Sequence, residues 1–476
     1  MSDVAVLGAL ARPGPGGTTA CSSSRRVLVA HWRAVLAALR LAGVLGCSGW
    51  PPRWSRRWTR YGCATLVAFT AARVALFTRQ FFLAFKPQVE EARKGLYPGE
   101  MSYIFWLDTF NLGMQGLTIS LTQVVMLLYS RDVSLLVRAV FLYLHSFPGP
   151  RNKNAHRHAA MAWFGANFTF YAVYGMSYTH FTQDDWERVF YILNDLLPHV
   201  LIGATQDSFL HIVAANVDLL ASVADGVLEH VAALSHLAQS AAPCTCSSTC
   251  PAHRGRVPVL LGEQRAARGL LHGLRALRVR YQGVQDVVRA TNRAYGGFIL
   301  LASTTALIGG VAFLYSGVIV VITFAGMLGE YKEPLPFDAL DGACALALGT
   351  LQTARLLFTC AIGEQMSLES FRISSALQTG LTRHAGIDPR IERELQWFIR
   401  QTQMQEIRFG AFDLLYFDLK TMNRIIAAIM SNIVILVQFS ALSSGITKCN
   451  DWSSSNQPFL NETTPKEASY RRCPTV

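Results

Sequence analysis

Seven long stretches of mainly apolar residues constrain what this chain can fold into more than any other feature. Each is long enough to cross the roughly 30 Å hydrocarbon core of a bilayer, which takes about 20 residues of α-helix. Only 16% of the residues are charged, against about 25% in soluble proteins. The sequence therefore predicts an all-α membrane protein with seven transmembrane helices. They cover approximately residues 61–85, 103–129, 161–181, 188–214, 295–328, 339–363 and 421–445.

Positively charged residues concentrate in alternate loops, which predicts the orientation of the chain. The segments 1–60, 130–160, 216–294 and 364–424 together hold 31 Lys and Arg, and the loops on the opposite side hold nine. Loops that stay in the cytoplasm carry the excess of Lys and Arg, so we expect a cytoplasmic N-terminus and an extracellular C-terminus. G-protein-coupled receptors have the opposite orientation, and that class is disfavoured. The net charge of +12 is spread between apolar stretches, which does not indicate nucleic-acid binding.

The predicted spans divide the chain into four parts. Residues 1–26 are rich in Gly, Pro, Ser and Ala and are expected to be disordered. Residues 27–60 are expected to form a cytoplasmic amphipathic segment that ends in an interfacial Trp-rich run. Residues 61–445 form the seven-helix domain, with long cytoplasmic helix extensions before the fifth and last spans. Residues 446–476 form an extracellular tail, in which Asn461 begins an Asn-Glu-Thr glycosylation sequence.

The sequence contains no motif that indicates catalysis. P-loop, HExxH and GxSxG patterns are missing, so we expect no enzymatic activity and no cofactor. Cys244, Cys246 and Cys250 lie close together, but they lack the paired CxxC spacing of structural zinc sites. We expect reduced thiols in this loop, and zinc binding stays open as the alternative.

Aromatic and polar residues gather at the predicted outer ends of the second, third and fourth spans. Aromatic belts at membrane interfaces account for part of this pattern. The alternative is a pocket with aromatic walls and a few polar groups, which suits a small polar ligand. The candidate ligand-binding residues are Trp106, Asp108, Gln115, Tyr174, Tyr178 and Asp195.

The last predicted span is aliphatic but carries the amides Asn432 and Gln438. Amides are costly in lipid unless they face protein or water. They either bond to neighbouring helices or lie on a face that lines an aqueous path. Because the two residues are six apart, or about 240° around a helix, they do not share one face.

The C-terminal third resembles the insect gustatory receptor family. The family signature in the last span is Thr-Tyr, five apolar residues and Gln-Phe, and this chain reads Ser431-Asn432, Ile433 to Val437 and Gln438-Phe439. The Gln-Phe half and the spacer match, whereas the Thr-Tyr half does not. FGAFDLLYFDL before this helix, and LRVRYQGVQDVVRATNRAYG before the fifth span, are similar to the family pattern at the same places.

The resemblance implies a tastant-gated, non-selective cation channel in the plasma membrane. It implies a homotetramer, or a heteromer with related receptors, in which each last helix lines a central pore. Gln438 and Phe439 match the motif near the family's gate, and Asn432 lies on the same helix. The tastant would bind among the second, third, fourth and sixth spans. Ile433 stands where the sugar-sensing branch carries an acidic residue, so a fructose-receptor-like or a bitter-type member fits.

Two other functions remain open. A secondary transporter often shows internal repeats and helices broken by Gly or Pro near the midplane, and no convincing repeat relates the two halves of this sequence. A structural or chaperone-like membrane subunit is the other, and it predicts no current with any ligand.

Overall fold

A computed structural model describes most of the helical part of the chain. The described residues are 39–48, 53–80, 99–146, 188–189, 192–241, 256–324, 339–383, 388–404, 406–411 and 415–455, with single residues at 33, 36, 37, 82, 165, 167 and 171. The helices are α1 (Arg56–Gln80), α2 (Gly99–Leu128), α3 (Ser130–Ser146), α4 (Leu197–Ala241), α5 (Arg256–Phe324), α6 (Ala339–Arg383), α7 (Pro389–Met404) and α8 (Leu419–Ser455). Two antiparallel hairpins pair β1 (Cys47–Ser48) with β2 (Arg53–Trp54) and β3 (Gly410–Ala411) with β4 (Leu415–Tyr416).

The helices confirm the predicted class of all-α membrane protein. α1, α2, α4, α5, α6 and α8 coincide with six of the predicted spans. The predicted third span, 161–181, lies mostly outside the described residues, although Gly165, Asn167 and Tyr171 within it are helical. Among the described helices, five are long and apolar enough to cross a membrane, or six if α2 and α3, which are bent by 69° at Tyr129, form one broken span. The number seven and the orientation stay predictions.

Helix starts follow local sequence signals. Pro198 lies in the first turn of α4, directly after the π-helical turn Ile192–Leu196. Asp388 caps α7 by accepting a hydrogen bond of 2.9 Å from the backbone N–H of Arg390, and Pro389 is the first helical residue. Asp418 caps α8 in the same way through the N–H of Thr421, at 2.7 Å. These caps satisfy donors that a helix N-terminus otherwise leaves open.

Successive helices run antiparallel, as successive membrane crossings must. Residues that come later in α4 contact residues that come earlier in α5. The pairs are Ser208 with Tyr295, Gly226 with Leu277 and His230 with Gly273. α5 meets α6 through Gly310 with Thr353, Leu314 with Gly349 and Gly317 with Leu346. Small residues at such contacts let helices approach closely. α4 and α6 therefore run parallel, with α5 antiparallel to both.

α4, α5 and α6 extend far beyond a bilayer and form a helical domain with α7. α5 has 69 residues, a length of roughly 100 Å. Tyr281 of α5 packs on Phe398 of α7 with ring centroids 5.7 Å apart and shares a hydrogen bond of 3.2 Å with Ser370 of α6. Arg278 of α5 forms an ion pair of 2.7 Å with Glu394 of α7. The predicted extension before the fifth span is thus present. The segment before the last span instead forms the separate helix α7, and hairpin β3–β4 lies between it and the start of α8 at Leu419.

The N-terminal segment packs against the bend between α2 and α3. Leu39, Val44 and Leu45 are buried in the main core. Gln123 of α2 donates a hydrogen bond of 3.3 Å to the carbonyl of Ala42. Gly43 has a φ of +74°, a conformation that a residue with a Cβ adopts only with strain. This turn directs the chain into hairpin β1–β2 and then into α1.

Candidate ligand site and pore helix

Gln115 is the predicted ligand residue whose surroundings the structure describes. It lies on α2 with its side chain fully buried, and neither amide atom has a hydrogen-bond partner among the described residues. One turn further along α2, Thr118 hydrogen-bonds to Thr305 of α5. An unpaired buried amide costs about 1–3 kcal/mol. The described residues therefore leave the hydrogen-bonding capacity of the Gln115 amide unused.

The other predicted site residues fall in less fully described parts of the chain. Trp106 and Asp108 lie on α2, and Asp195 lies in the π-helical turn Ile192–Leu196 before α4. Their side chains, together with the residues Tyr174, Tyr178 and Asn461, lie outside the described part. Cys244, Cys246 and Cys250 do so as well. Among the residues that the structure describes, no group of three or more His, Cys, Asp or Glu is placed to hold a metal ion.

A buried polar cluster lies between the parallel helices α4 and α6, and the sequence analysis did not predict it. We call it the α4–α6 polar cluster. Gln352 hydrogen-bonds to His199 at 2.9 Å, and Gln206 donates to Thr359 at 3.3 Å. Its six members are all buried. They are His199, Gln206 and Asp207 on one face of α4, and Gln352, Arg355 and Thr359 on one face of α6.

Arg355 is the most unusual member of the α4–α6 polar cluster. Its side chain is 1% exposed, and none of its three guanidinium nitrogens has a hydrogen-bond acceptor among the described residues. The guanidinium carbon lies 5.1 Å from the centre of the Tyr171 ring and abuts Gly203 of α4. Tyr171 also stacks on His199, at 6.1 Å and 17°, and Phe313 of α5 lies 6.0 Å from His199 on another side. The cluster thus combines a cation, amides and aromatic walls.

A signal for this cluster exists in the sequence. Arg355 lies well inside the predicted sixth span, and an ionisable residue at such depth marks a functional site by default. Gln352, Arg355 and Thr359 also recur at the three- and four-residue spacing of one helix face. The deep Arg73 of the first span, in contrast, donates a hydrogen bond of 3.1 Å to the carbonyl of Gly116 and lies over Phe69.

α8 is the candidate pore helix, and little of it is covered by its own chain. Of the apolar window in Leu419–Gln438, 6% is buried, against 78% for the window in Leu197–Leu237. Asn432 is exposed and donates a hydrogen bond of 2.8 Å to the carbonyl of Ala428, one turn back on the same helix. Gln438 is also exposed, and the side chain of Phe439 lies outside the described part. Within one chain, the Asn432 amide therefore bonds to its own helix instead of a neighbouring one.

A compact joint connects α8 to the core. The side-chain amide of Asn292 donates to the carbonyl of Arg408 at 3.0 Å and accepts from the N–H of Gly410 at 3.4 Å. Phe409 packs edge-on against Phe209 of α4, with ring centroids 5.9 Å apart. Gly363 of α6 abuts the backbone of Phe417. α4, α5 and α6 therefore all contact the segment that leads into α8.

Comparison with known proteins places the chain in a family. The sequence model of the family described as 7tm Chemosensory receptor matches residues 33–443. The fold is similar to that of the insect olfactory receptor OR5 from Machilis hrabei, with a TM-score of 0.58 and 9% identity over 87% of this chain and 99% of that one. It is also similar to OR5 in complex with eugenol, with a TM-score of 0.55 and 11% identity over 87% and 98% of the two chains. No curated protein sequence matches significantly. The resemblance predicted from the motifs is thus confirmed at the level of the family, and the chain belongs to the 7tm chemosensory receptors.

Proposed function

We propose that this chain is a gustatory receptor that acts as a tastant-gated, non-selective cation channel in the plasma membrane. The observation that carries the proposal is the exposure of α8, an apolar helix of whose spanning window the described residues bury only 6% while it bears exposed amides. A helix that faced only lipid would gain nothing from Gln438 at that position. Packing of α8 around a central axis, in a homotetramer or a heteromer, gives these amides an aqueous path.

The ligand site is proposed among the second, third, fourth and sixth spans. OR5 is a receptor of similar fold that binds eugenol, a small molecule. The buried unpaired amide of Gln115 supports a polar ligand contact on α2. Asp108, Tyr174 and Asp195 are the further polar contacts, and Trp106 and Tyr178 form the walls. A sugar such as fructose, or a bitter compound, matches this mixture of aromatic and polar groups.

The gate is proposed at Gln438 and Phe439. Adjacent residues are about 100° apart on a helix, so a modest rotation of α8 exchanges the residue that faces the axis. Phe439 would close the pore as a hydrophobic constriction, and Gln438 would hydrate it. Ligand binding would reach the gate through the joint at Asn292 and Phe409, which ties α8 to α4 and α5.

Whole-cell recording tests the proposal. The full-length chain is expressed alone, fructose and a panel of bitter compounds are applied, and current and surface expression are measured in the same cells. We expect a ligand-evoked current carried by Na⁺, K⁺ and Ca²⁺. Saturable uptake of a labelled ligand without such a current would indicate a secondary transporter instead. Surface-expressed protein without current or uptake, also when a related receptor is co-expressed, would contradict the proposal.

A further inference from the structure

The Arg355 guanidinium has no counter-ion within the described residues. No carboxylate of that part of the chain lies within ion-pair distance, and the side chain is fully buried. A buried charge without a partner is costly, and proteins normally pair it or bond it. Tyr171 covers the cation from one side, but a ring face accepts no more than a weak share of the five N–H donors. Among the described residues, the charge of Arg355 therefore has no counter-charge in contact with it.

The shape of the missing partner follows from the chemistry of Arg. A guanidinium presents its donors as a rigid planar fork that matches a carboxylate, with two parallel N–H···O bonds. Gly203 allows the guanidinium to lie directly against α4, because a Cβ at this position would collide with its terminal nitrogen. The rings of Tyr171 and Phe313 lie 6.1 Å and 6.0 Å from the ring of His199 and offer apolar walls to the body of a small ligand.

Asp207 is the internal candidate for the partner. It lies one turn after Gly203 on α4 and is within electrostatic range of Arg355, yet it forms no ion pair with it in the described structure. In the described structure, Asp207 therefore leaves the guanidinium donors of Arg355 unoccupied.

We propose that the α4–α6 polar cluster binds the carboxylate of a small organic acid, with Arg355 as its anchor. This inference rests on the proposed ligand site and adds to it a subsite for ligands that carry a carboxylate. Gln352 lies one turn before Arg355 on α6 and is hydrogen-bonded to His199. These two residues position the aromatic wall beside the carboxylate. The acid enters as its anion, and no bond is made or broken.

Binding of matched acid and amide probes tests the inference. Benzoate and hexanoate are compared with benzamide and hexanamide on the purified full-length receptor, and thermal stabilisation gives the apparent dissociation constants. We expect each acid to bind about tenfold more tightly than its amide, since hydrogen bonds to charged groups are stronger by that order. In Arg355→Gln the acid and its amide should bind about equally. In Arg355→Lys the preference should fall between the two.

Arg73→Lys is the matched control, because Arg73 is a second buried span arginine that already donates to a protein carbonyl. It should keep the wild-type preference for acids. Equal binding of acid and amide by the wild type, or an unchanged preference in Arg355→Gln, overturns the inference. If Arg355→Gln does not fold, Asp207→Asn decides, since it keeps Arg355 and should keep or strengthen the acid preference. Loss of that preference in Asp207→Asn overturns the inference.

Recording separates this inference from the proposed function. If acid binding depends on Arg355 but no ligand evokes a current in cells, the acid site is supported and the channel function is contradicted. If sugars or bitter compounds evoke currents but the binding assay shows no preference for acids, the channel function is supported and the acid site is overturned.

Discussion

At the scale of single residues, Gln115 offers a way to separate ligand binding from stability. Its buried amide has no partner in the described structure, so the folded state carries its desolvation cost. We predict that Gln115→Leu leaves thermal stability unchanged or raises it by about 1 kcal/mol, while the half-maximal ligand concentration increases severalfold. Melting of the purified protein and a dose–response curve in cells measure the two effects.

Thr122 is the control for Gln115, because its buried hydroxyl also lacks a partner among the described residues and lies two turns further along α2. Thr122→Val should change stability in the same direction and leave the dose response unchanged. An unchanged dose response in Gln115→Leu as well would remove Gln115 from the ligand site.

Residue roles were harder to predict than residue types. Arg355 and His199 are visible in the sequence as ionisable residues inside predicted spans, but nothing in the sequence shows that α4 and α6 bring them together. The contact depends on the parallel packing of two helices whose paired residues are about 150 positions apart. Gln115 was a candidate because polar residues around it on one span indicated a pocket, and its role in ligand binding stays a prediction.

At the scale of elements, the start of α8 depends on one cap. Asp418 accepts a hydrogen bond of 2.7 Å from the N–H of Thr421. Burial raises the pKa of Asp418, but the bonds from Thr421 and the charges of Lys420 and Arg408 outweigh this effect, so the pKa is lowered. A lowered pKa means that the carboxylate stabilises the fold above its unfolded pKa of about 3.9 and that this contribution is lost only as the pH falls below it.

We predict that Asp418→Ala lowers the free energy of unfolding by about 1 kcal/mol, the usual cost of losing an N-cap. Asp418→Asn, which keeps an acceptor oxygen, should lose less. Thermal melting at neutral pH measures both. Equal stability of the alanine variant and the wild type would show that the cap does not limit the stability of the protein.

The polar residues of α8 test the pore. Asn432 and Gln438 are about 240° apart, so a straight helix directs at most one of them to the axis. If Gln438 faces the pore, Gln438→Glu places a ring of carboxylates in the path and should raise the permeability to Ca²⁺ relative to Na⁺ severalfold. Reversal potentials in solutions of different Ca²⁺ concentration measure the change, and Asn432→Asp is the matched control.

Phe439→Ala belongs to the same test and should raise the current in the absence of ligand, because a smaller side chain wets the constriction. If neither acidic substitution shifts the reversal potential while both proteins reach the surface, α8 does not line the pore.

At the scale of the whole molecule, the spans were predictable because a bilayer requires one apolar length. Five of the described helices have this length and hydropathy, or six if the bent pair α2–α3 counts as one span. The ends of the helices were not predictable, because outside the bilayer no such requirement applies and tertiary packing decides. α5 continues through its contacts with Phe398 and Glu394 of α7, which are remote in sequence. The bend of 69° after Leu128 was not predicted either, because residues 130–160 were predicted to form a loop between the second and third spans.

Antiparallel packing brings the basic segments to one end of the molecule. The end of α4, the start of α5, the end of α6 and all of α7 lie together there, and they contain most of the Lys and Arg of segments 216–294 and 364–424. Since basic ends stay in the cytoplasm, we predict that an epitope inserted in 242–255 or placed at the N-terminus is stained only after permeabilisation. An epitope at the C-terminus should be stained on intact cells, and glycosidase treatment should shift the wild type but not Asn461→Gln. The reverse staining pattern would contradict the assigned orientation and favour a receptor of the G-protein-coupled type.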